Sequence, residues 1–547
     1  MKVLTQEQKD AITKTLDPFL KNRKAEAICV YGSQIAGYSS EKSDYDVIVV
    51  LNGFRQKIKY YYLRGATQCS ALAVDSKSFE ADCRKSSLGE FVSGRLLNCF
   101  EVLTGEEWIT RNELQFKKRI ILEGLNDVYA EHQRFAIFVR FALAYFLFEK
   151  LRKRVAIYPP VAYSYSMTYG QKLRDRNVAD SLDGFRRAAH ELSLEGILTL
   201  DERNDKVQLV PGKFEVGLTS KISSRASYTA KSLAQYAVHG YAGRVGVDVI
   251  GREVASKISR SRKKFNLPDE IRNPEEFWSI EEGRLYPDTE DWHSDLLECL
   301  GVEKASIISQ KSMGEFYNSA KAMTIDNGAR KMTVAVKKYT DVKSMKWIIV
   351  NLWSLKNTNF SLSPIERLTR EYGALCDFKK LGVRTPAIIA LFLSERILVT
   401  EYITGKNLSD IESNFLENGS EDLRPVRLFG EALARIHNCG FCMGDSKPSN
   451  AIMSDSSNEI YLVDLEQVHP SGNVVWDVAE FIYYSTMFTL KEDRARKIVD
   501  AFVSGYQSKT TNPTIVKSAA ALRYRAPFQP FIAPNLVNSL RKDLSLS

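Results

Sequence analysis

The sequence predicts a multidomain chain of mixed α/β and α+β type. Three observations carry that reading. At 547 residues the chain is several times the size of an ordinary domain. Short β-type runs, such as residues 27–31 and 46–51, alternate with segments of helical period, such as residues 6–20. A polar, proline-bearing stretch over residues 251–301 separates two regions that each have their own periodicity. The expected organisation is therefore 1–105, 106–175, 176–250, a linker at 251–301, and 302–547.

Composition narrows the class. Forty-four per cent hydrophobic and 26% charged residues are ordinary for a globular chain and exclude disordered and fibrous types. The longest apolar runs stop near about ten residues, too short to cross a bilayer; the run at 135–147 is also interrupted by Arg140. The first residues lack the apolar core of a secretion signal and read as a mature start. Eight cysteines are scattered without disulfide-framework or zinc-ribbon spacing, so a reducing, cytoplasmic setting is expected. A net charge of +9 is a mild bias toward polyanions. Lys257, Arg260, Arg262, Lys263 and Lys264 concentrate it at the start of the linker, as a nucleic-acid contact or a solvated spacer.

In chain order, a helix over 6–20 precedes buried strands at 27–31 and 46–51 and an apolar run at 70–74 that ends in Asp75. Residues 114–154 read as helical, with Phe135, Phe138, Phe141, Phe146 and Phe148 as core. A helix over 183–200, Gly196 and a strand at 207–210 read as a winged-helix-like unit, or as a helical spacer with a surface hairpin. A further helical pattern covers 227–258.

Two constellations carry chemistry. The first is Val30-Tyr31-Gly32-Ser33, ten residues, then Asp44-Tyr45-Asp46 opening an apolar run. Gly32 has no side chain to block approach of backbone to a phosphate, and Ser33 adds a hydroxyl. Asp44 and Asp46, one residue apart, fall on one face of a strand, where they can share divalent cations. This pattern resembles the polymerase-β-type nucleotidyltransferases. The resemblance covers roughly residues 20–105 and implies a third carboxylate from a neighbouring strand, which position assigns to Asp75.

The second begins with a strand at 332–338 ending on Lys337, placed to neutralise nucleotide phosphates if an acid directs it. Glu366 and Glu371 both qualify from the helix that follows. Leu398-Val399-Thr400-Glu401-Tyr402-Ile403 reads as a strand entering a hinge whose backbone around Glu401 and Ile403 suits adenine. After a helix over 427–438 comes Gly444-Asp445-Ser446-Lys447-Pro448-Ser449-Asn450, matching an Asp-x-x-x-x-Asn catalytic loop. A hairpin at 451–463 then delivers Asp464.

These motifs, in this order, resemble the RIO-type kinases and the kinase subunit of the KEOPS complex, so a two-lobed kinase-like fold is implied. The resemblance selects Glu371 as the partner of Lys337 and makes Asp445 the group that orients the acceptor hydroxyl and takes its proton. It gives Lys447 the transferred phosphate, Asn450 and Asp464 the magnesium, and Asp477 the bracing of the catalytic loop. The phosphate loop falls near Ser312 and Gly314, with one glycine where such loops hold several. Asp477 follows Asp464 by 13 positions, leaving no room for a long activation segment. Cys439-Gly440-Phe441-Cys442 and His437 read as packing around this loop.

The expectation is thus an ATP- and magnesium-dependent kinase acting on an RNA hydroxyl, with tRNA as acceptor by likeness to an archaeal tRNA kinase group related to RIO. A protein Ser/Thr kinase or ATPase, nucleotidyl transfer to RNA or protein by the first constellation, and a non-catalytic adaptor role for it stay open. No membrane partner is expected.

Overall fold

The computed structural model describes residues 3–40, 43–170, 173–213, 266–302, 306–312, 320–328, 331–341, 361, 363–420 and 422–546. The chain divides into two compact units, Met1–Ser279 and Ile280–Ser547.

The first unit opens with helix Gln6–Leu20, started by a Thr5/Gln8 capping box. Five strands follow: β1 (Ala25–Tyr31), β2 (Tyr45–Leu51), β3 (Ile58–Arg64), β4 (Gln68–Asp75) and β5 (Phe100–Thr104). They form one sheet in the order β3-β4-β2-β1-β5, with β2 parallel to β4 and the other pairs antiparallel. Strand β2 reads as an uninterrupted apolar run because it is central and covered on both faces, Val47 to Val50 being fully buried. One face seats Val30, Val47 and Val49 against Ile12 and Leu16 of the first helix. Alternation leaves Tyr31, Asp46 and Ser70 in register on the other.

Helices Glu106–His132, Leu143–Ile157, Ala162–Tyr169 and Arg174–Leu194 come next. The continuous helical pattern predicted over 114–154 is broken by a 3-10 turn at Gln133–Phe138 and by strand β6 (Arg140–Ala142). The cause is tertiary. Phe141 is fully buried within a four-stranded sheet, its ring 5.5 Å from that of Trp278. That sheet has the order β7-β8-β6-β9, with β7 (Leu198–Asp201), β8 (Lys206–Leu209) and β9 (Trp278–Ser279). Gly196 at φ +69 makes the turn from the last helix into β7. The helical pattern at 227–258 and the basic cluster at 257–264 lie outside the described residues.

In the second unit, β10 (Arg284–Tyr286), β11 (Ser306–Ser312), β12 (Ala320–Asp326), β13 (Lys331–Lys338), β14 (Ile388–Phe392) and β15 (Ile397–Glu401) form a sheet ordered β10-β14-β15-β13-β12-β11. Residues 278–279 and 284–286, within the expected linker, thus each contribute a strand to a sheet, and Trp292–Cys299 forms a helix. Val334, Val336 and Val399 bury one face against Leu296 of that helix. Alternation turns Lys337 to the opposite face, where its ammonium reaches Glu371 on helix Pro364–Lys380. Below lie helices Arg424–Asn438, Val474–Tyr484 and Glu492–Lys509, whose Phe429, Phe481 and Phe502 stack ring on ring. The hairpin of β16 (Ala451–Ser454) and β17 (Ile460–Leu462) leads directly to Asp464.

Among the described residues no helix is long and apolar enough to cross a membrane.

Candidate functional site

Lys337 lies at the centre of a buried acidic cluster. Its Nζ meets Glu371 Oε2 at 2.7 Å and Glu466 Oε2 at 3.0 Å, and it pairs with Asp464 Oδ1. The Tyr339 hydroxyl donates to the same Glu371 oxygen. Burial alone would lower the Lys337 ammonium, but Asp464 and Glu371, with Tyr339 and Glu466 behind them, hold it well above the usual lysine value. For Glu371 the balance tips the other way: burial raises it, and the attraction of Lys337 does not fully offset this. Glu366 points elsewhere and accepts from Arg370 at 2.7 Å.

Glu466 is the residue sequence reasoning missed here. It is buried, and Arg367 Nη1 lies 3.4 Å from both its oxygens. Asp464-Leu465-Glu466 has the same one-residue spacing that drew attention to Asp44 and Asp46, so the signal was present. Glu371, Asp464 and Glu466 bring carboxylate oxygens within 4.8 Å of one another, forming the one cluster among the described residues with three such donors.

The loop at 443–450 is held from beneath. Asp477, fully buried, accepts from the Met443 N–H at 2.6 Å, the Gly444 N–H at 2.9 Å and the Cys442 thiol at 3.2 Å. His437 Nε2 stands 3.0 Å from Asp477 and its Nδ1 2.7 Å from the Tyr506 hydroxyl, so His437 and Cys442 both serve the brace. Gly444 takes φ +74, and a Cβ there would stand 2.6 Å from the Gln467 carbonyl oxygen, which is why no larger residue fills the position. Glu480, missed in the sequence, accepts from both the N–H and the hydroxyl of Ser446. Burial, then the charge of Asp445, pushes Glu480 up to about 8, against the pull of Lys447.

On the open side of the loop, Lys447 Nζ pairs with Asp445 Oδ1 at 2.7 Å. Asn450 donates to the Asp445 carbonyl at 2.9 Å, and its own carbonyl accepts from the Val463 N–H at 2.9 Å. That last bond ties the loop to the residue before Asp464, itself at φ +56. Glu401 ends β15, its N–H donating to the Ala387 carbonyl, and Ile403 is buried two residues on. Ser312 is the exposed last residue of β11, and Gly314 lies outside the described residues.

In the first unit, Gly32 takes φ +83, and a Cβ there would stand 2.4 Å from Asp46 Oδ2, so glycine makes room for that carboxylate. Ser33 begins a four-residue helix, and Asp44 lies just before β2. Asp75 does not join them, which corrects the sequence expectation. Because β4 runs parallel to β2, Asp46 faces Ser70 while Asp75 faces Leu51 at the other end of the pair. Five residues at about 3.3 Å each separate the positions by roughly 16 Å. Asp75 instead caps helix Ser76–Lys85, accepting from Ser78 N–H, and accepts from Phe54 N–H at 3.0 Å. Arg95, also missed, bonds the Tyr31 hydroxyl at 2.9 Å and the Tyr60 hydroxyl at 2.6 Å. Burial would lower its guanidinium, but those phenols and then Asp46 hold it above its ordinary value.

No family model matches the chain. A "probable serine/threonine-protein kinase BUD32 homolog" of Archaeoglobus fulgidus is 26% identical over 170 residues, 30% of this chain and 77% of that protein. An "EKC/KEOPS complex subunit bud32" of Dictyostelium discoideum is 21% identical over 156 residues, 28% of this chain and 61% of that one. A "KEOPS complex subunit Bud32" of Pyrococcus abyssi is 29% identical over 99 residues, 18% of this chain and 43% of that one. The chain therefore spans less than two thirds of the second and third of these relatives. An ethanolamine kinase structure from Plasmodium vivax covers 47% of this chain and 85% of its own at 10% identity and a TM-score of 0.28, too low to argue from. The chain has Bud32-type kinase homologues over up to about a third of its length.

Proposed function

We propose that the second unit is an ATP- and magnesium-dependent kinase that phosphorylates a hydroxyl of RNA, with tRNA as the acceptor class. The observation that carries the phosphotransferase part is the convergence of Lys337, Glu371 and Asp464, remote in sequence, above a loop presenting Asp445, Lys447 and Asn450. The donor set fits a hard divalent cation, since Asp464 and Asn450 offer oxygen ligands from adjoining backbone. Magnesium bound there would draw charge from the transferring phosphoryl group.

In this reading Glu371 directs Lys337 toward the nucleotide phosphates. The Asp445 carboxylate orients the acceptor hydroxyl and takes its proton as the new P–O bond forms, and ADP leaves. Lys447, already at Asp445, offsets charge on the phosphoryl oxygens. Asp477 and Glu480 hold the loop from below. Backbone around Glu401 and Ile403 receives adenine, and Ser312 at the end of β11 meets the phosphates.

The RNA acceptor is supported by the short passage from Asp464 to helix Val474–Tyr484, which leaves no peptide platform, and by the basic balance of the chain. Protein Ser/Thr phosphorylation is the second reading, favoured by the description of the Archaeoglobus relative as a probable serine/threonine-protein kinase. Incubation with γ-labelled ATP beside total tRNA and a protein mixture separates them. Ribonuclease-sensitive label is expected; label on protein or only in free phosphate overturns the RNA reading.

For the first unit we infer a nucleotidyltransferase-like sheet in a docking role. Gly32, Ser33, Asp44 and Asp46 retain the turn and the acidic pair, but Ser70 stands opposite Asp46 and Arg95 lies on the same side. Label transferred from α-labelled ATP in the wild type and lost in Asp46→Asn would instead make the unit a transferase.

A further inference from the structure

We propose that Tyr484, Phe488 and Phe531 form a stacking platform beside the catalytic loop for an unpaired base of the acceptor nucleic acid. This deepens the RNA-kinase reading and rests on it.

The platform starts at the reacting groups. Lys447, paired with Asp445, lies 5.9 Å from the centre of the Tyr484 ring at the end of helix Val474–Tyr484. An acceptor whose hydroxyl reaches Asp445 therefore meets that ring. The chain then turns, and Phe488 stands 79% exposed with its ring 5.5 Å from that of Phe531, itself 39% exposed. The Phe488 N–H donates to the Phe531 carbonyl at 2.9 Å, fixing the two rings in one unit.

Two features set this patch apart from an incidental apolar surface. Phe488 takes φ +58, a region bulky residues avoid, so the fold holds an aromatic ring outward in strained backbone. A cation also borders it, since Lys447 lies over the Tyr484 ring. Rings that accept the face of any base, next to a cation, match single-stranded nucleic acid.

The test uses the full chain, total tRNA and γ-labelled ATP. Phe488→Ala and Phe531→Ala are each expected to raise the tRNA dissociation constant and KM about tenfold or more, with KM for ATP unchanged. Phe488→Trp should restore wild-type affinity, which a merely structural role would not do. Wild-type tRNA affinity in both alanine variants, or a tryptophan variant as weak as alanine, overturns the platform while leaving the RNA-kinase reading intact. If the wild type labels protein and never RNA, that reading falls and takes the platform with it.

Discussion

Replacing Lys337 by methionine tests the acidic cluster through stability as well as turnover. The substitution leaves Glu371, Asp464 and Glu466 with oxygens within 4.8 Å of one another. At that separation and an effective dielectric constant of about 20, each charged pair repels by roughly 3.5 kcal/mol. Removing one partner from a buried ionic group typically costs about 3–5 kcal/mol, so Lys337→Met should lower the melting transition of the second unit by roughly 10 °C. With the ammonium gone, Glu371, already raised by burial, rises further above its unfolded value. Stability is then present at low pH and lost as pH climbs, so the deficit should be larger at pH 8 than at pH 5. Scanning calorimetry of the full chain at both pH values reads this directly. A variant that melts with the wild type at both would show that the three acids are not charged together, and the electrostatic account of Lys337 would fail.

Asp445→Ala and Asp464→Ala should each remove phosphoryl transfer by at least about a thousandfold while far-ultraviolet circular dichroism stays unchanged; retained turnover would exclude the residue from the chemistry. Gly444→Ala forces a side chain at φ +74 against the Gln467 carbonyl. It should cost about 1–3 kcal/mol and most of the activity, checked by urea unfolding and turnover together. Glu412 is buried, with its carboxyl pushed from an ordinary 4.5 up to about 8 by burial against a hydrogen bond from Ser485. The folded chain thus keeps a proton that the unfolded chain loses above pH 4.5, and stability falls as pH rises toward 8. Glu412→Gln mimics the protonated acid and should flatten that slope in melts taken from pH 5 to 8.5. Asp75→Ala should cost about 1 kcal/mol as a lost helix cap, visible in the first unit's melt; a larger loss confined to nucleotide binding would return Asp75 to the acidic pair.

Much of the site was legible because its residues sit at motif spacings that local structure enforces. Strand alternation turns Lys337 away from Val334 and Val336, and a turn of helix sets Glu371 opposite it. Arg367 and Glu480 escaped because their partners lie about a hundred residues away or behind the loop, where no local pattern reports on them; Glu466 escaped although its spacing from Asp464 repeats that of Asp44 and Asp46. Asp75 was misplaced for a related reason. A run ending in aspartate says nothing about whether its strand is parallel to its neighbour, and parallel pairing carries the acid to the far end. The break at Gln133–Ala142 was hidden by aromatic residues that suit a helix and a strand equally, until Trp278 and Val207 are brought against Phe141 from elsewhere in the chain. Strands β3 and β5 were missed as well, although Tyr60, Tyr61 and Tyr62 carry strong β preference.

Titration of the full chain with ATP in the presence and absence of magnesium tests the central claim most directly. One ATP should bind per second unit, weakened at least about tenfold by Lys337→Met, made insensitive to magnesium by Asp464→Asn, and unchanged by Asp46→Asn. Tight, magnesium-dependent binding that persists in a Lys337→Met, Asp464→Asn double variant but disappears in Asp46→Asn would contradict it.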